Sequence, residues 1–379
     1  MVRVLVTGGA GFIGSFVCER LLALGHELRV LDNLDPQVHP VGERPRIPAG
    51  VEFLQDDLRD RSACHRALDG IDVVVHAAAA VGVAQSMYQV RHYIDVNVTG
   101  TATLLEALIE RRPMGKLVVL TSMTGYGEGA YRRPSDGRIQ RVNLRTEQDI
   151  DRFGWEHVDS ETHERLAPCQ TPESAELLCR NVYALSKCYQ EELSLALGST
   201  YGFPVTCLRL FNVFGPRQSL SNPYTGVIAI FLSRLLAGER PVVYEDGLQS
   251  RDFVSVHDVT EAIVTAVTSS AADGQVVNIG SGIGRPIRDI AASLAKLMGR
   301  DDLAPAISQR YRRGDVRHCT ADIARARQLL GFEPRVQWEE GLAEVVEWAK
   351  SSPSVDRIAQ AQDELEMHGL VTKRRPSAR

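Results

Sequence analysis

Tyr183 and Lys187 are the two residues whose types and spacing best suit acid–base chemistry. They lie four positions apart in a segment with helical periodicity, so their side chains share one face of the predicted helix. A nearby positive charge lowers the pKa of a phenol from about 10 toward neutrality, and a phenolate can accept a proton from a hydroxyl group. Ser122 comes just after a predicted strand, Leu117–Leu120, and would complete the set with a hydroxyl. The predicted catalytic residues are therefore Ser122, Tyr183 and Lys187.

A glycine-rich turn, TGGAGFIG at 7–14, separates the first predicted strand from the first predicted helix. Glycines allow the backbone to approach a pyrophosphate, and the helix N-terminus offers free N–H groups to that anion. Asp32 ends the second predicted strand, where a carboxylate accepts hydrogen bonds from ribose hydroxyls and repels a 2′-phosphate. No arginine directly follows Asp32, so the pattern favours NAD over NADP. The cofactor-binding residues predicted here are Gly8, Gly11, Phe12, Ile13, Gly14, Asp32 and Asn33.

The scaffold for these residues is predicted from an alternation of strand and helix patterns over the first 120 residues. Short apolar runs occur at Val2–Val6, Glu27–Leu31, Val51–Leu54, Val73–Val75 and Leu117–Leu120. Strands that alternate with helices indicate βαβ units and a parallel sheet, which binds ligands at the carboxyl ends of its strands. We predict an α/β fold with a Rossmann-type doubly wound parallel sheet and a smaller, discontinuous α/β substrate-binding lobe.

Composition narrows the function classes. The 379 residues include 43 basic and 48 acidic side chains, a net charge of −5 that gives no electrostatic footprint for nucleic acid. No stretch approaches the roughly 20 apolar residues of a membrane span. Seven scattered cysteines without a CxxC pair predict neither a disulfide framework nor a metal site. The start, MVRVLVTGG, reads as a strand and a glycine turn, so we expect a cytoplasmic protein.

These motifs together resemble the extended short-chain dehydrogenase/reductase family, specifically its NAD-dependent nucleotide-sugar epimerases and dehydratases. The resemblance runs from about Val2 to Lys350, and Tyr183 and Lys187 match the family's YxxxK pair. The family's Ser/Thr stands four residues before the tyrosine of a YG pair, here Tyr126, which supports Ser122. Further cofactor-binding residues implied by the resemblance are Asp57, Leu58, Ala77, Ala78, Ala79 and Asn97, besides Tyr183 and Lys187.

The second half of the sequence also resembles this family. RLFNVFGP at 209–216 resembles the segment whose asparagine contacts the sugar diphosphate, and RDFV at 251–254 resembles one whose arginine binds phosphate. Arg312 and Asp315 match a late motif in which an arginine binds phosphate and an aspartate binds the nucleotide ribose. Four residues after Asp315, Cys319 occupies a position that would leave room around the sugar. The substrate-binding residues implied are Ser122, Thr124, Asn212, Arg251, Arg312 and Asp315.

The residues after Ser122 bear on the type of reaction. The family's 4,6-dehydratases have an Asp-Glu pair directly after the Ser/Thr, and its decarboxylases have a glutamate two residues after it. This sequence has Met123 and Thr124 there, and neither can serve as a carboxyl acid or base. A 4-epimerase needs no such group, because a tyrosine can take the 4-OH proton and the cofactor is regenerated in each turnover. The resemblance therefore implies inversion at C4.

A narrower resemblance is to the dTDP-L-rhamnose 4-epimerases, carried by VGVAQSMY at 81–88, QSLSNPYTGVIAIF at 218–231 and YEDGLQSRDFV at 244–254. It implies dTDP-L-rhamnose as substrate and dTDP-6-deoxy-L-talose as product. The cysteine pairs expected in the insertion of such relatives are missing here, and no metal site is predicted. UDP-hexose or UDP-uronate 4-epimerisation and NDP-4-keto-sugar reduction remain alternatives. A non-catalytic dinucleotide sensor is disfavoured, because such proteins typically lose the tyrosine or the lysine.

The domain division follows from these motifs. We expect a dinucleotide-binding domain at 1–211, with an insertion at 127–180, that also receives 252–280. A substrate-binding lobe is expected at 212–251 and 281–350, followed by a C-terminal tail at 351–379. The insertion separates Ser122 from Tyr183 and is expected to act as a lid or specificity element. Helices at about Thr99–Arg111 and Asn181–Ser199 match those that pair in the dimers of this family, so we expect a homodimer.

Overall fold

The computed structural model describes residues 1–39, 45–111, 115–222, 224, 226–312, 314–352 and 358–373, with the side chains of 358–362 and 373 left aside. In chain order the strands are β1 (Arg3–Thr7), β2 (Glu27–Asp32), β3 (Glu52–Gln55), β4 (Val73–His76), β5 (Lys116–Ser122), β6 (Ala130–Arg132), β7 (Ile139–Arg141), β8 (Ala167–Pro168), β9 (Gln170–Thr171), β10 (Val205–Leu210), β11 (Asn212–Phe214), β12 (Val242–Val243), β13 (Ser250–Ser255), β14 (Gln275–Ile279), β15 (Gly284–Pro286), β16 (Ala306–Ile307), β17 (Arg310–Arg312), β18 (His318–Ala321) and β19 (Val371–Lys373).

The α-helices are α1 (Phe12–Ala23), α2 (Arg61–Leu68), α3 (Val83–Ser86), α4 (Val90–Tyr93), α5 (Gly100–Glu110), α6 (Glu147–Phe153), α7 (Val182–Tyr201), α8 (Val227–Leu236), α9 (Val256–Thr268), α10 (Ile287–Leu297), α11 (Ala324–Leu330), α12 (Trp338–Lys350) and α13 (Ile358–Met367). A π-helical turn at Ile94–Thr99 joins α4 to α5, and a 3₁₀ turn at Met123–Tyr126 follows β5. Within the described part of the chain, no helix is long and apolar enough to cross a membrane.

The central sheet confirms the predicted fold class. Its seven strands are parallel and lie in the order β14-β10-β5-β4-β1-β2-β3. The order reverses direction between β1 and β4, which places a topological switch point at the carboxyl ends of these two strands. The inner strands read as continuous runs of Val and Leu because helices cover both faces of the sheet. Two apolar clusters, one on each face, contain most of these buried side chains.

Helix α7 is the element that brings the predicted catalytic pair to the sheet. Asn181 caps it, since its side-chain oxygen accepts a hydrogen bond from the Ala184 N–H at 2.8 Å. The helix ends at Gly202, whose φ of +75° is a left-handed conformation that favours glycine. Its bounds agree with the predicted Asn181–Ser199 within two residues. The helix packs against β5, so its first turns lie beside the carboxyl end of that strand.

A second sheet lies beyond the central one. Its strands have the order β11-β13-β18-β9, and β15 pairs with β13. Helices α8, α10 and α12 pack around a separate apolar cluster next to it. The segment 252–280 returns to the central sheet through α9 and β14, whereas β13 itself pairs within the second sheet. The chain therefore passes between the two sheets more than once, as a discontinuous lobe requires.

The insertion and the tail both contain regular structure. Within 127–180, β6, β7 and β8 form a small antiparallel sheet, while β9 pairs with β18 of the second sheet. Helix α6 begins with a capping box between Thr146 and Asp149. The tail forms α13 and then β19, which pairs antiparallel with β17. Residues 374–379 lie outside the described part of the chain.

Candidate active site

A cavity of about 440 Å³ opens at the carboxyl ends of the central strands. Its lining reaches from the glycine-rich turn to the start of α7, so it can hold a cofactor and a substrate end to end. The predicted site residues that line it are Gly8, Gly11, Phe12, Ile13, Gly14, Asp32, Asn33, Asp57, Leu58, Ala77, Ala78, Ala79, Ser122, Thr124, Tyr183, Lys187 and Asn212.

The glycine-rich turn has a geometry that fits a pyrophosphate. Gly8 has a φ of +71°, and a Cβ there would lie 2.7 Å from the backbone nitrogen of Ala78. A Cβ on Gly14 would lie 2.2 Å from the Gly8 oxygen, so only glycine lets α1 start this close to the turn. Gly11 precedes α1 and no described side chain caps this helix. The first N–H groups of α1 are therefore available to an anion in the cavity.

Asp32 lies at the end of β2 and is 8% exposed. One carboxylate oxygen accepts from the Ala10 N–H at 3.1 Å, and the other accepts from the Leu34 N–H at 2.9 Å. These two bonds hold the carboxylate toward the cavity and link it to the glycine-rich turn. Each oxygen keeps a further acceptor position, which a ribose hydroxyl can use.

Asp57 lies on the same side of the cavity as Asn33. The Asn33 amide donates to an Asp57 oxygen at 3.1 Å, and the Arg59 guanidinium donates to both carboxylate oxygens. The Arg59 guanidinium beside it holds the pKa of Asp57 well below its usual range. This charged group forms the wall at the end where the sequence predicts the adenosine.

Among the predicted cofactor-binding residues, Asn97 is the one outside the described lining of the cavity. Its side chain is fully buried in the π-helical turn. Its amide oxygen accepts from the Ala80 N–H at 2.7 Å, and its amide nitrogen donates to the Ala80 oxygen at 3.0 Å and to Ser186 Oγ at 2.9 Å. Asn97 therefore fixes the segment Ala77–Ala80 and helix α7 relative to each other.

Ser122 and Tyr183 meet at the cavity wall, although 60 residues separate them in the sequence. Burial raises the pKa of Tyr183, and a hydrogen bond with the Ser122 side chain opposes this shift. Thr124 Oγ1 donates to Ser122 Oγ at 3.1 Å, which places a third hydroxyl in the group. The lowered Tyr183 pKa that the sequence predicts is therefore not produced by the chain alone, because removal of water outweighs the hydrogen bond.

Lys187 lies one turn after Tyr183 and is 5% exposed. Its Nζ donates to Gln190 Oε1 at 2.6 Å. Burial lowers the pKa of Lys187 to about 7. The lysine is thus held inside the protein by an acceptor that the sequence analysis did not consider. The i,i+3 spacing between Lys187 and Gln190 was the available signal for that contact.

A buried ion pair positions the middle of α7. Arg209 on β10 donates to both carboxylate oxygens of Glu191, which also accepts from Thr121 Oγ1 at 3.0 Å. The same guanidinium donates to the Tyr126 hydroxyl at 2.9 Å, and that hydroxyl donates to Asn278 Oδ1 at 2.7 Å. These bonds join the helix to β5, β10 and β14, so α7 cannot slide along the sheet.

The predicted substrate residues separate into two groups. Asn212 lines the cavity, and its buried Oδ1 has no hydrogen-bond partner among the described residues, so it is free to contact a ligand. Arg251, Arg312 and Asp315 are outside the described lining of the cavity. Arg251 donates to Asp315 Oδ1 at 3.0 Å, and Arg312 lies over the Tyr244 ring. Asn212 thus lines the same cavity as Tyr183, whereas the late motif lies outside its described lining.

Cys319 does not border the cavity as the sequence analysis expected. It lies in β18, is 1% exposed and packs in an apolar cluster. The adjacent strand β13 pairs with it at Arg251. The side chain is a packed strand residue, and its size does not set the room around the sugar.

Four residues near the sugar end of the cavity were missed by the sequence analysis. Tyr224 lines the cavity, and its hydroxyl donates to Glu364 of α13. The Tyr88 hydroxyl donates to the same carboxylate at 3.0 Å, and the Tyr88 ring stacks on His368. The C-terminal tail is therefore tied to a cavity-lining residue. Charge patterning could not indicate this contact, because Glu364 is one of several acidic residues in a polar helix.

The histidines and cysteines of the insertion do not come together as ligands. Within the described residues, no group of three or more His, Cys, Asp or Glu side chains could hold a metal ion. Cys179 lies near the end of the insertion, and its sulfur is 2.6 Å from the sulfur of Cys188 in α7. His157 Nε2 instead lies 3.0 Å from Glu128 Oε1, within a buried cluster of charges.

Comparisons with known proteins agree with this geometry. The sequence matches the NAD dependent epimerase/dehydratase family over residues 4–148 and 160–280. It is 35% identical over 352 residues to a dTDP-L-rhamnose 4-epimerase of Burkholderia thailandensis, covering 91% of this chain and 94% of that protein.

Among solved structures, a UDP-glucose 4-epimerase of Thermotoga maritima with UDP-glucose has a TM-score of 0.75 at 30% identity, covering 92% of this chain and 99% of that one. A UDP-glucose 4-epimerase of Thermus thermophilus in complex with NAD has a TM-score of 0.72 at 31% identity, covering 93% and 100%.

Proposed function

Since the chain belongs to the NAD dependent epimerase/dehydratase family and is an NAD-dependent nucleotide-sugar epimerase, we propose that it inverts C4 of dTDP-L-rhamnose to give dTDP-6-deoxy-L-talose. The observation that carries the proposal is the meeting of Tyr183, Ser122 and Asn212 in one cavity whose opposite end is the glycine-rich turn. A sugar bound there would have its reacting hydroxyl next to the phenol.

In the proposed reaction Tyr183 accepts the proton of the C4 hydroxyl and returns it after inversion. Ser122 holds that hydroxyl through its own Oγ, which Thr124 orients by a hydrogen bond. NAD, when bound, supplies the hydride acceptor for oxidation of C4 and the donor for its reversal. Met123 and Thr124 provide no carboxyl group for elimination of water, which supports epimerisation over dehydration.

The choice of dTDP-L-rhamnose rests on the relative from Burkholderia thailandensis, and the UDP-sugar epimerases of known structure supply the main alternative. A panel of dTDP- and UDP-sugars, analysed for product stereochemistry at C4, decides between them. Inversion of dTDP-L-rhamnose with no added cofactor is the expected result. Turnover of UDP-hexoses or UDP-uronates alone would refute the proposed substrate. A requirement for added reduced cofactor would indicate a 4-keto-sugar reductase.

The catalytic role of the phenol has a separate test. Tyr183→Phe removes the acid–base group but keeps the ring that packs against Tyr93. We expect loss of at least about 100-fold in kcat, the usual contribution of a positioned general base, with NAD still bound. NAD content of the purified variant, read by absorbance after release, is the control for folding. Full activity in this variant would overturn the mechanism.

A further inference from the structure

We propose that Gln190 is a positioning residue for Lys187, and that it fixes the lysine Nζ at the cavity wall through a buried hydrogen bond. The inference rests on the proposed function, because it concerns how the lysine beside Tyr183 is held. Gln190 itself is not among the described residues that line the cavity. Three contacts support this role, and each involves a different element.

The first contact joins Lys187 to Gln190. Both side chains lie on α7 three positions apart, with 5% and 0% exposure. Lys187 Nζ donates to Gln190 Oε1 at 2.6 Å. A buried ammonium without an acceptor is strongly disfavoured, and a four-carbon chain gives Nζ many positions. The amide oxygen therefore both stabilises the charged amine and selects its position.

The second contact sets the orientation of the Gln190 amide. Its nitrogen donates to Thr101 Oγ1 of α5 at 2.7 Å. The Thr101 hydroxyl donates in turn to the backbone carbonyl oxygen of Asn97 at 2.6 Å, so the lone pairs of Thr101 Oγ1 face Gln190. Reversing the amide would place its N–H groups against the lysine ammonium, which has no lone pair. Both ends of the amide thus require the oxygen to face Lys187.

The third contact anchors Thr101 to the cofactor end of the sheet. His76 Nε2 is 2.8 Å from Thr101 Oγ1, and His76 Nδ1 is 2.8 Å from Thr7 Oγ1. The His76 ring therefore bridges Thr101 and Thr7, and its Nε2 also lies 3.1 Å from Gln190 Nε2. Burial lowers the pKa of His76 to about 3, so the ring stays neutral in this chain of bonds.

The chain of bonds ends in the cofactor-binding turn. Thr7 is the last residue of β1, directly before Gly8, and its Oγ1 accepts from the Ala78 N–H at 3.3 Å. The side chains joined by this series of hydrogen bonds are all fully or almost fully buried. The position of Lys187 Nζ is therefore coupled to the wall that holds the dinucleotide, and Gln190 is the link that contacts the lysine.

The test uses the full chain and the nucleotide sugar that the wild-type enzyme inverts. Gln190→Met keeps the length of the side chain and removes the oxygen that accepts the hydrogen bond from Lys187. We expect kcat to fall about 10-fold, less than the roughly 100-fold that a misplacement of 1 Å can cost, with KM within about twofold. The alkaline limb of the kcat–pH profile should move to lower pH, because an ammonium that loses its acceptor loses its proton more easily. Gln190→Glu restores an acceptor and should move that limb to higher pH.

Two further variants separate positioning from a structural role. Thr101→Val should lower kcat in the same direction, and its effect should be non-additive with that of Gln190→Met because both act through one amide. Thr260→Val on α9 removes a comparably buried hydroxyl that bonds only with its own helix, and should leave kcat and the pH profile unchanged.

The outcomes distinguish the two proposals. A Gln190→Met enzyme with wild-type kcat and pH profile, alongside an inactive Tyr183→Phe enzyme, would overturn the role of Gln190 and leave the proposed function intact. A fall in kcat that only tracks the folded fraction, with an unmoved pH profile, would also overturn it. An active Tyr183→Phe enzyme would instead refute the proposed function.

Discussion

Lys187 lies in the protein interior, where its charge is disfavoured. Burial lowers its pKa from 10.5 to about 7. Between these values the unfolded chain binds more protons than the folded chain, so this lysine makes stability rise with pH across that window. Below about pH 7 the full penalty of a buried ammonium is present, and above about pH 10.5 it is gone. The site therefore lowers the stability of the fold at neutral pH to keep an amine next to the phenol.

Replacing Lys187 by methionine should separate stability from activity. We expect Lys187→Met to abolish epimerisation and to melt at a higher temperature than the wild type at about pH 6.5, with the gain shrinking toward about pH 10. Thermal unfolding over this pH range measures the effect. The exposed Lys296 gives a matched control, because its loss should change the melting temperature little at any pH. A constant difference across the range would contradict the prediction.

Buried charges join the insertion 127–180 to residues of the segment that we expect to form the substrate-binding lobe. Arg317, next to β18, has no exposed surface and donates to Glu156 of the insertion and to Glu245 and Asp246 of the lobe. Its backbone N–H donates to Glu128, also in the insertion. Without the Arg317 guanidinium, Asp246 loses its cationic partner, and Glu245 and Glu156 keep only Arg145 and His318 to offset their burial. If the insertion acts as a lid or a specificity element, as we predict, the part of it that contains Glu128 and Glu156 is held in place by Arg317.

The charge cluster gives a prediction for the insertion. Arg317→Met should destabilise the protein by about 3–5 kcal/mol, because three carboxylates lose a common partner. Arg20→Met is the matched control: Arg20 makes a two-bond contact with Glu261 between exposed side chains, and its loss should change the stability little. Urea unfolding at neutral pH measures both. Equal small losses would show that the cluster does not hold the insertion.

At the scale of the whole molecule, the two helices expected to pair in a dimer differ. The apolar side chains of α5, including Leu104 and Leu108, are buried against its own sheet. Helix α7 leaves Leu185 and Tyr189 exposed at 40% and 52%, one turn apart. Exposed apolar side chains that cluster in this way favour an interface, so the proposed homodimer would use α7 more than α5.

Light scattering tests the dimer. We expect the wild type to have the mass of two chains and the double variant Leu185→Glu with Tyr189→Glu to have the mass of one, because burying two carboxylates at a shared surface is strongly unfavourable. Ile139→Glu, at a 57% exposed position in the insertion, is the control and should stay dimeric. A wild-type monomer would refute the proposal directly.

Local chemistry made several features predictable from the sequence. The glycine-rich turn, Asp32 and the alternation of strands and helices depend on backbone conformation and on burial over short distances, so the parallel sheet and the cofactor end follow from them. The pair Tyr183 and Lys187 is likewise local, because four positions on a helix define one face. Ser122 needed only its place at the carboxyl end of a predicted strand.

Tertiary structure decided what depends on distant parts of the chain. The pKa of Tyr183 is raised because surrounding elements exclude water, and no sequence pattern reports that burial. Cys319 faces a packed cluster because β13 pairs with β18. Gln190 becomes the acceptor for Lys187 because α5 and β4 bring Thr101 and His76 to it. The sequence by itself determined which groups are present at the site, and the packing of remote elements determined their protonation, orientation and partners.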